Sequence, residues 1–108
     1  MISGYRAMWL LVMFDLPVKT KPQRKHAAGF RKALLKSGFD MIQFSVYSRP
    51  CPSEENAKAH LFRVMAQLPS KGQVRLLQFT DKQYGRMQCF QGEIPIQTEK
   101  MPSQLELY

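Results

Sequence analysis

An α+β sandwich, two helices laid on one small sheet, is the fold class that this 108-residue chain predicts, and three features lead there. Ala7 to Phe14 is a continuous apolar run, which suits a central strand buried on both faces. Two segments, one after Thr20 and one after Ser53, place their apolar residues on a single helical arc. Strand-like stretches stand between and after them, so the order reads strand, helix, one strand or two, helix, strand, then a tail. The length allows one domain, whose core can hold a sheet and two helices but no large internal cavity.

The first strand is stopped by Asp15-Leu16-Pro17. Thr20 to Gln23 then opens a helix: Thr20 can cap it, Gln23 can reach back as in a capping box, and Pro22 is tolerated in the first turn. Ala27, Phe30, Ala33 and Leu34 form its apolar arc, and Gly38 closes it. Phe39 to Ser48 alternates Ile42, Phe44 and Val46 against Gln43, Ser45 and Tyr47; it reads as one bent strand or two short ones, ended by Pro50 and Pro52. Ser53-Glu54-Glu55 begins the second helix, with Ala57, Leu61, Val64, Met65 and Leu68 as its buried face, and Pro69 to Gly72 breaks it. Val74 to Thr80 is a strand, Asp81 to Gly85 a turn, and Met87 to Phe90 a short last strand. Residues 1–92 form the domain and 93–108 a tail, with Leu105 to Leu107 as a candidate docking strand. The economical arrangement is a ferredoxin-like βαββαβ sandwich with a short extra C-terminal strand and tail.

The charge is less ordinary than the composition. A formal net charge of +8 favours a polyanionic partner. Residues 1–38 carry +7 of it, with Asp15 as their one acid. Lys21, Arg24, Lys25, Arg31, Lys32 and Lys36 fall within about 140° of helix, opposite the apolar arc, at ~100° per residue. Like charges at i, i+4 repel, and Lys19 and Lys21 stand at the helix end where the dipole disfavours them. A row of cations that gains nothing locally fits the phosphates of a nucleic acid. The apolar run is far shorter than the ~20 residues of a membrane span and lacks a signal-peptide cleavage site. Cys51 and Cys89 are isolated, without zinc spacing, and read as reduced thiols of a cytoplasmic protein.

Asp15 stands at the carboxyl end of the buried strand, beside the cationic helix start. An Asp there can simply cap a turn. A lone carboxylate joined by phosphate oxygens and waters can also hold Mg²⁺, which often takes only one or two protein carboxylates. One carboxylate per chain is meagre for nuclease chemistry, and a symmetric dimer would bring two together.

Four blocks together carry a resemblance: Leu11-Val-Met-Phe-Asp-Leu-Pro17, Arg31-Lys-Ala-Leu-Leu-Lys-Ser-Gly-Phe39, Met41-Ile-Gln-Phe-Ser-Val-Tyr47 and Gly72-Gln-Val-Arg-Leu-Leu-Gln-Phe-Thr80. In order and in register from about Tyr5 to Gly92, they resemble the family of CRISPR-associated protein two, in the form that accompanies single-effector (type II) systems. The resemblance implies a ferredoxin-like homodimer that bridges copies of the integrase, CRISPR-associated protein one, and carries the protospacer DNA duplex on its basic surface. It also implies a metal-dependent endonuclease activity on RNA or DNA, with the strand-end Asp15 of each protomer as catalytic group and Mg²⁺ ligand. Gln43, Ser45, Val46 and Tyr47 match a family signature in a strand near the dimer centre.

Three functions compete on these grounds. A dimeric scaffold of the adaptation complex would grip duplex backbone through Lys21, Arg24, Lys25, Arg31 and Lys32. A Mg²⁺-dependent nuclease would cut duplex DNA or single-stranded RNA through paired Asp15. The alternative to both adaptation roles is a non-catalytic nucleic-acid-binding module of the same fold. An RNA-recognition module would need exposed aromatics in a Gly-rich central strand, which this sequence lacks.

Overall fold

The computed structural model describes residues 6–103. Its elements are β1 (Met8–Asp15), α1 (Lys21–Lys36), β2 (Asp40–Gln43), β3 (Val46–Cys51), α2 (Glu54–Met65), β4 (Gln73–Thr80), α3 (Asp81–Tyr84), β5 (Cys89–Gln91) and β6 (Ile94–Ile96). The main sheet has the order β2-β3-β1-β4 with every pairing antiparallel, so the first six elements form the expected βαββαβ sandwich. No helix among the described residues is long and apolar enough to cross a membrane.

β1 is central in sequence pattern and in space. Its side chains alternate: Met8, Leu10, Val12 and Phe14 pack with Phe30 and Leu34 of α1 and Ala57 and Val64 of α2, while Trp9 and Leu11 join Tyr84 on the opposite face. Leu10 and Val12 are 0% exposed, which is what an uninterrupted apolar run achieves. Phe14 meets Phe30 edge-on at 5.2 Å between ring centroids, fixing α1 over the end of the strand.

The helix ends follow the sequence closely. At the start of α1, the Thr20 hydroxyl accepts from the Gln23 backbone N–H at 3.2 Å, and the Gln23 side chain accepts from the Thr20 N–H at 3.0 Å. At the other end Ser37 is the cap and Gly38 takes φ +84, and the Arg49 guanidinium donates to the Ser37 carbonyl at 2.8 Å.

Of the two readings of Phe39 to Ser48, the fold takes two strands, divided by a turn at Phe44 and Ser45, where Ser45 takes φ +61. The matched Gln43-to-Tyr47 block therefore spans a turn rather than lying in one strand. Pro50 does not end β3, which continues to Cys51. The Phe14 N–H donates to the Ser45 carbonyl, so by alternation the backbone of Pro50, opposite Trp9, points away from β1. It points to a side that β2, paired only up to Ser48, does not reach, and the missing N–H costs no ladder bond.

On α2 the buried residues are Ala57, His60 and Val64; Met65 and Leu68 are exposed. At ~100° per residue Met65 lies about 110° from the centre of that arc, and Leu68 falls beyond the helix end. The turn after β4 is a short helix, α3, with Thr80 and Gln83 forming a second capping box. β5 and β6 pair as a separate hairpin across Gly92, so part of the expected tail is strand. Leu105 to Leu107 lie outside the described residues.

His60 replaces an apolar residue at the α2 interface. Burial, then the nearby charges of Arg49 and Arg63, push its pKa down to about 4, and its Nε2 is buried without a hydrogen-bond partner. An unfolded chain takes up that proton near pH 6.5, whereas the folded one refuses it until about 4. Stability should therefore be full above pH 6.5 and fall progressively between 6.5 and 4. Urea midpoints measured across this window should show the loss, and His60→Leu should flatten it. Gly29, in the middle of α1, has nothing within 4 Å of where a Cβ would stand. Gly29→Ala should then stabilise the fold by about 1 kcal/mol through helix propensity alone, visible as a rise of ~4–8 °C in Tm.

Candidate functional site

Alternation along β1 places Asp15 on the sheet face away from α1 and α2, in line with Trp9, Leu11 and Met13. The register sets Gln73 opposite Asp15 and Arg75 opposite Met13. These residues, with Phe14, line one shallow groove at the end of the sheet. Asp15, Gln73 and Arg75 are all exposed, and among the described residues the side chains of Asp15 and Arg75 have no hydrogen-bond or ion-pair partner.

Two contacts hold the backbone there. The Phe14 N–H donates to the Ser45 carbonyl at 3.1 Å, tying the β2–β3 turn to the strand end. Gly72, at φ +89, lets the chain entering β4 pass against Asp15: a Cβ at Gly72 would stand 2.6 Å from the Asp15 carbonyl oxygen.

The opposite end of the same face is closed. Trp9 stacks on Tyr84 with centroids 4.1 Å apart, and its indole N–H donates to Asp81 Oδ1 at 2.7 Å. The Tyr84 hydroxyl donates to Glu99 Oε1 at 2.8 Å, and burial first, with Glu99 adding to it, pushes the phenol up to about 12. The aromatic of the central strand is thus covered and unavailable to stack a base. The Asp15 end of this face is the accessible one.

The cations of α1 divide into two groups. Lys21, Lys25, Lys32 and Lys36 are exposed and span about 60° directly opposite the buried arc, at ~100° per residue. Arg24 and Arg31 lie on the flank and are engaged locally. Arg24 Nη1 donates to the Val18 and Lys19 carbonyls, both at 3.1 Å, and the Arg31 guanidinium sits 5.8 Å from the Phe44 ring centroid. The lysine ridge and the Asp15 groove are therefore separate features, on different sides of the sandwich.

For a metal, the described residues hold no cluster of three or more His, Cys, Asp or Glu. Asp15 alone offers two unpartnered hard oxygens, which suits Mg²⁺ only where substrate phosphate, water or a second copy completes the shell.

Residues 8–87 match the family model described as CRISPR associated protein Cas2. The chain belongs to the Cas2 family. It is 49% identical over 107 residues to a protein of Flavobacterium psychrophilum, covering 99% of this chain and 93% of that one. It is 50% identical to a protein of Paracidovorax avenae over the full length of both, and 50% identical to one of Parvibaculum lavamentivorans over 94% of this chain and 100% of that one. All three bear the name CRISPR-associated endoribonuclease Cas2.

Sequence reasoning singled out Asp15 but not its neighbours Gly72, Gln73 and Arg75, which reach the groove only through the antiparallel register of β1 and β4. It also missed Phe44, which at 78% exposure projects from a turn rather than lying in a strand. Gly72→Ala should cost about 2 kcal/mol or more, because it forces a side chain into a positive φ and against the Asp15 carbonyl. Urea unfolding measures that loss, and any activity that depends on Asp15 should fall with it.

Proposed function

We propose that two copies of this chain form a cytoplasmic dimer that, with the integrase CRISPR-associated protein one, carries protospacer DNA in spacer acquisition. On this reading paired Asp15 carboxylates also give the dimer Mg²⁺-dependent phosphodiesterase activity. The observation that carries the hydrolytic part is the exposed, unpartnered carboxylate of Asp15 at the open end of a strand otherwise buried up to Phe14. The names of the relatives favour RNA as the strand that is cut.

Dimerisation is supported by what the fold leaves unpaired. β4 is an edge strand, and the hairpin of β5 and β6 exposes Phe90, Ile94 and Ile96 without joining the main sheet. Met13, Val46 and Leu77 on the Asp15 face are apolar and only partly buried.

In the reaction, a water oxygen bonds to phosphorus, the bond from phosphorus to the leaving sugar oxygen breaks, and that oxygen takes up a proton to balance the one lost by water. Asp15 would hold the Mg²⁺, which when bound supplies a more acidic water and neutralises phosphate charge. Gly72 and the β2–β3 turn fix the Asp15 backbone, so the carboxylate is presented without a mobile loop.

The second reading, a binding scaffold without catalysis, is favoured by the lysine ridge, which does not need Asp15 at all. Lys21→Ala/Lys25→Ala/Lys32→Ala should weaken duplex binding at least tenfold at low salt and reduce the slope of log affinity against log salt by roughly 3. Unchanged affinity would contradict it. For the hydrolytic part, labelled single-stranded RNA and duplex DNA are incubated with wild type or Asp15→Ala, in Mg²⁺ or EDTA. Cutting only by wild type with Mg²⁺ supports the assignment; no cutting leaves the scaffold reading alone.

A further inference from the structure

The face of β4 that looks away from the helices changes character along its length. Phe79 and Leu77 pack with Trp9 and Leu11, and then Arg75 and Gln73 follow on the same side. Arg75 is the one charged residue in that row, and it stands where the apolar part of the face ends. Arg75 lies one diagonal step from Asp15 across the β1–β4 ladder, a spacing that long side chains can bridge. Both side chains border the same groove, both are exposed, and neither is engaged by another described residue.

We infer that Arg75 is the phosphate-holding residue of the Asp15 groove. The inference rests on the hydrolytic reading above and extends it. The carboxylate and the guanidinium form no ion pair with each other, and both border one groove that is open to a phosphodiester. The guanidinium fork matches two non-bridging phosphate oxygens, a geometry that the ammonium of Lys does not reproduce. Asp15 would then face the side from which water attacks, and Arg75 would take up the charge that grows on the phosphate oxygens as the new bond to phosphorus forms. Gln73, directly opposite Asp15, adds an amide that can bond the same strand without adding charge.

The lysines of α1 cannot do this, because they stand on the other side of the sandwich. Arg31 is also on α1, beside the Phe44 ring, and does not line the groove. Arg75 is the described cation that lines the groove with Asp15.

The test measures kcat and KM for cleavage of a short labelled RNA by wild type, Arg75→Ala, Arg75→Lys and Asp15→Ala, with Tm recorded for each. Arg75→Ala should lower kcat about 100-fold with KM changed only a few-fold, as for loss of a transition-state donor. Its Tm should stay at the wild-type value, Arg75→Lys should recover only part of the rate, and added guanidinium ion should partly restore Arg75→Ala. An Arg75→Ala protein that cuts as fast as wild type overturns the assignment while leaving the hydrolytic reading intact. So does a loss of rate that comes with a lower Tm and no rescue, which would mark a structural residue. A wild type that cuts nothing overturns the hydrolytic reading, and the role of Arg75 with it.

Discussion

Burial of β1 on both faces is the constraint from which the rest of this structure follows. A strand covered on one side by α1 and α2 and on the other by Tyr84 and its neighbours cannot slide by one residue, because each of its side chains would then meet the wrong face. The two-sided core thus fixes the register of β3 and β4 against β1 and the direction of every residue along it. Asp15 comes at the point where this burial ends. Its position is set by seven preceding residues that pack, not by any contact of its own carboxylate.

The same constraint separates the two polar features of the molecule. With α1 held down by Ala27, Phe30 and Leu34, its lysines must face outward on the helical side. Asp15, Gln73 and Arg75 belong to the other side, at the open end of the sheet. A duplex lying along the lysine ridge and a strand entering the groove would occupy different surfaces, so binding and cutting are separable in this fold.

Much of this was legible in the sequence, for identifiable reasons. The apolar run of β1, the Thr20–Gln23 box and the glycine at Gly38 are local signals, and each produced the expected structure. The unread parts depend on contacts between distant residues. His60 was missed on α2 because a neutral histidine does not look apolar in a sequence, though it is 3% exposed in the fold. Pro50 reads as a strand end because the sequence does not reveal which backbone edge a neighbour leaves empty. Arg24 and Arg31 read as outward cations; in the fold Arg24 also donates to the Val18 and Lys19 carbonyls, and Arg31 lies against the Phe44 ring. Asp15 was found from its place at a strand end; its groove required the β1–β4 register, which no local pattern states.

On the function proposed above, the end of β1 is where this protein meets a divalent cation and a phosphate. The most direct measurement is a titration of ¹⁵N-labelled protein with Mn²⁺, a paramagnetic substitute for Mg²⁺, following amide line widths residue by residue. Asp15, Gly72 and Gln73 should broaden first, and Asp15→Asn should abolish the effect. Broadening centred instead on Glu54 and Glu55 or on Asp81, or broadening at β1 that survives Asp15→Asn, would contradict that assignment.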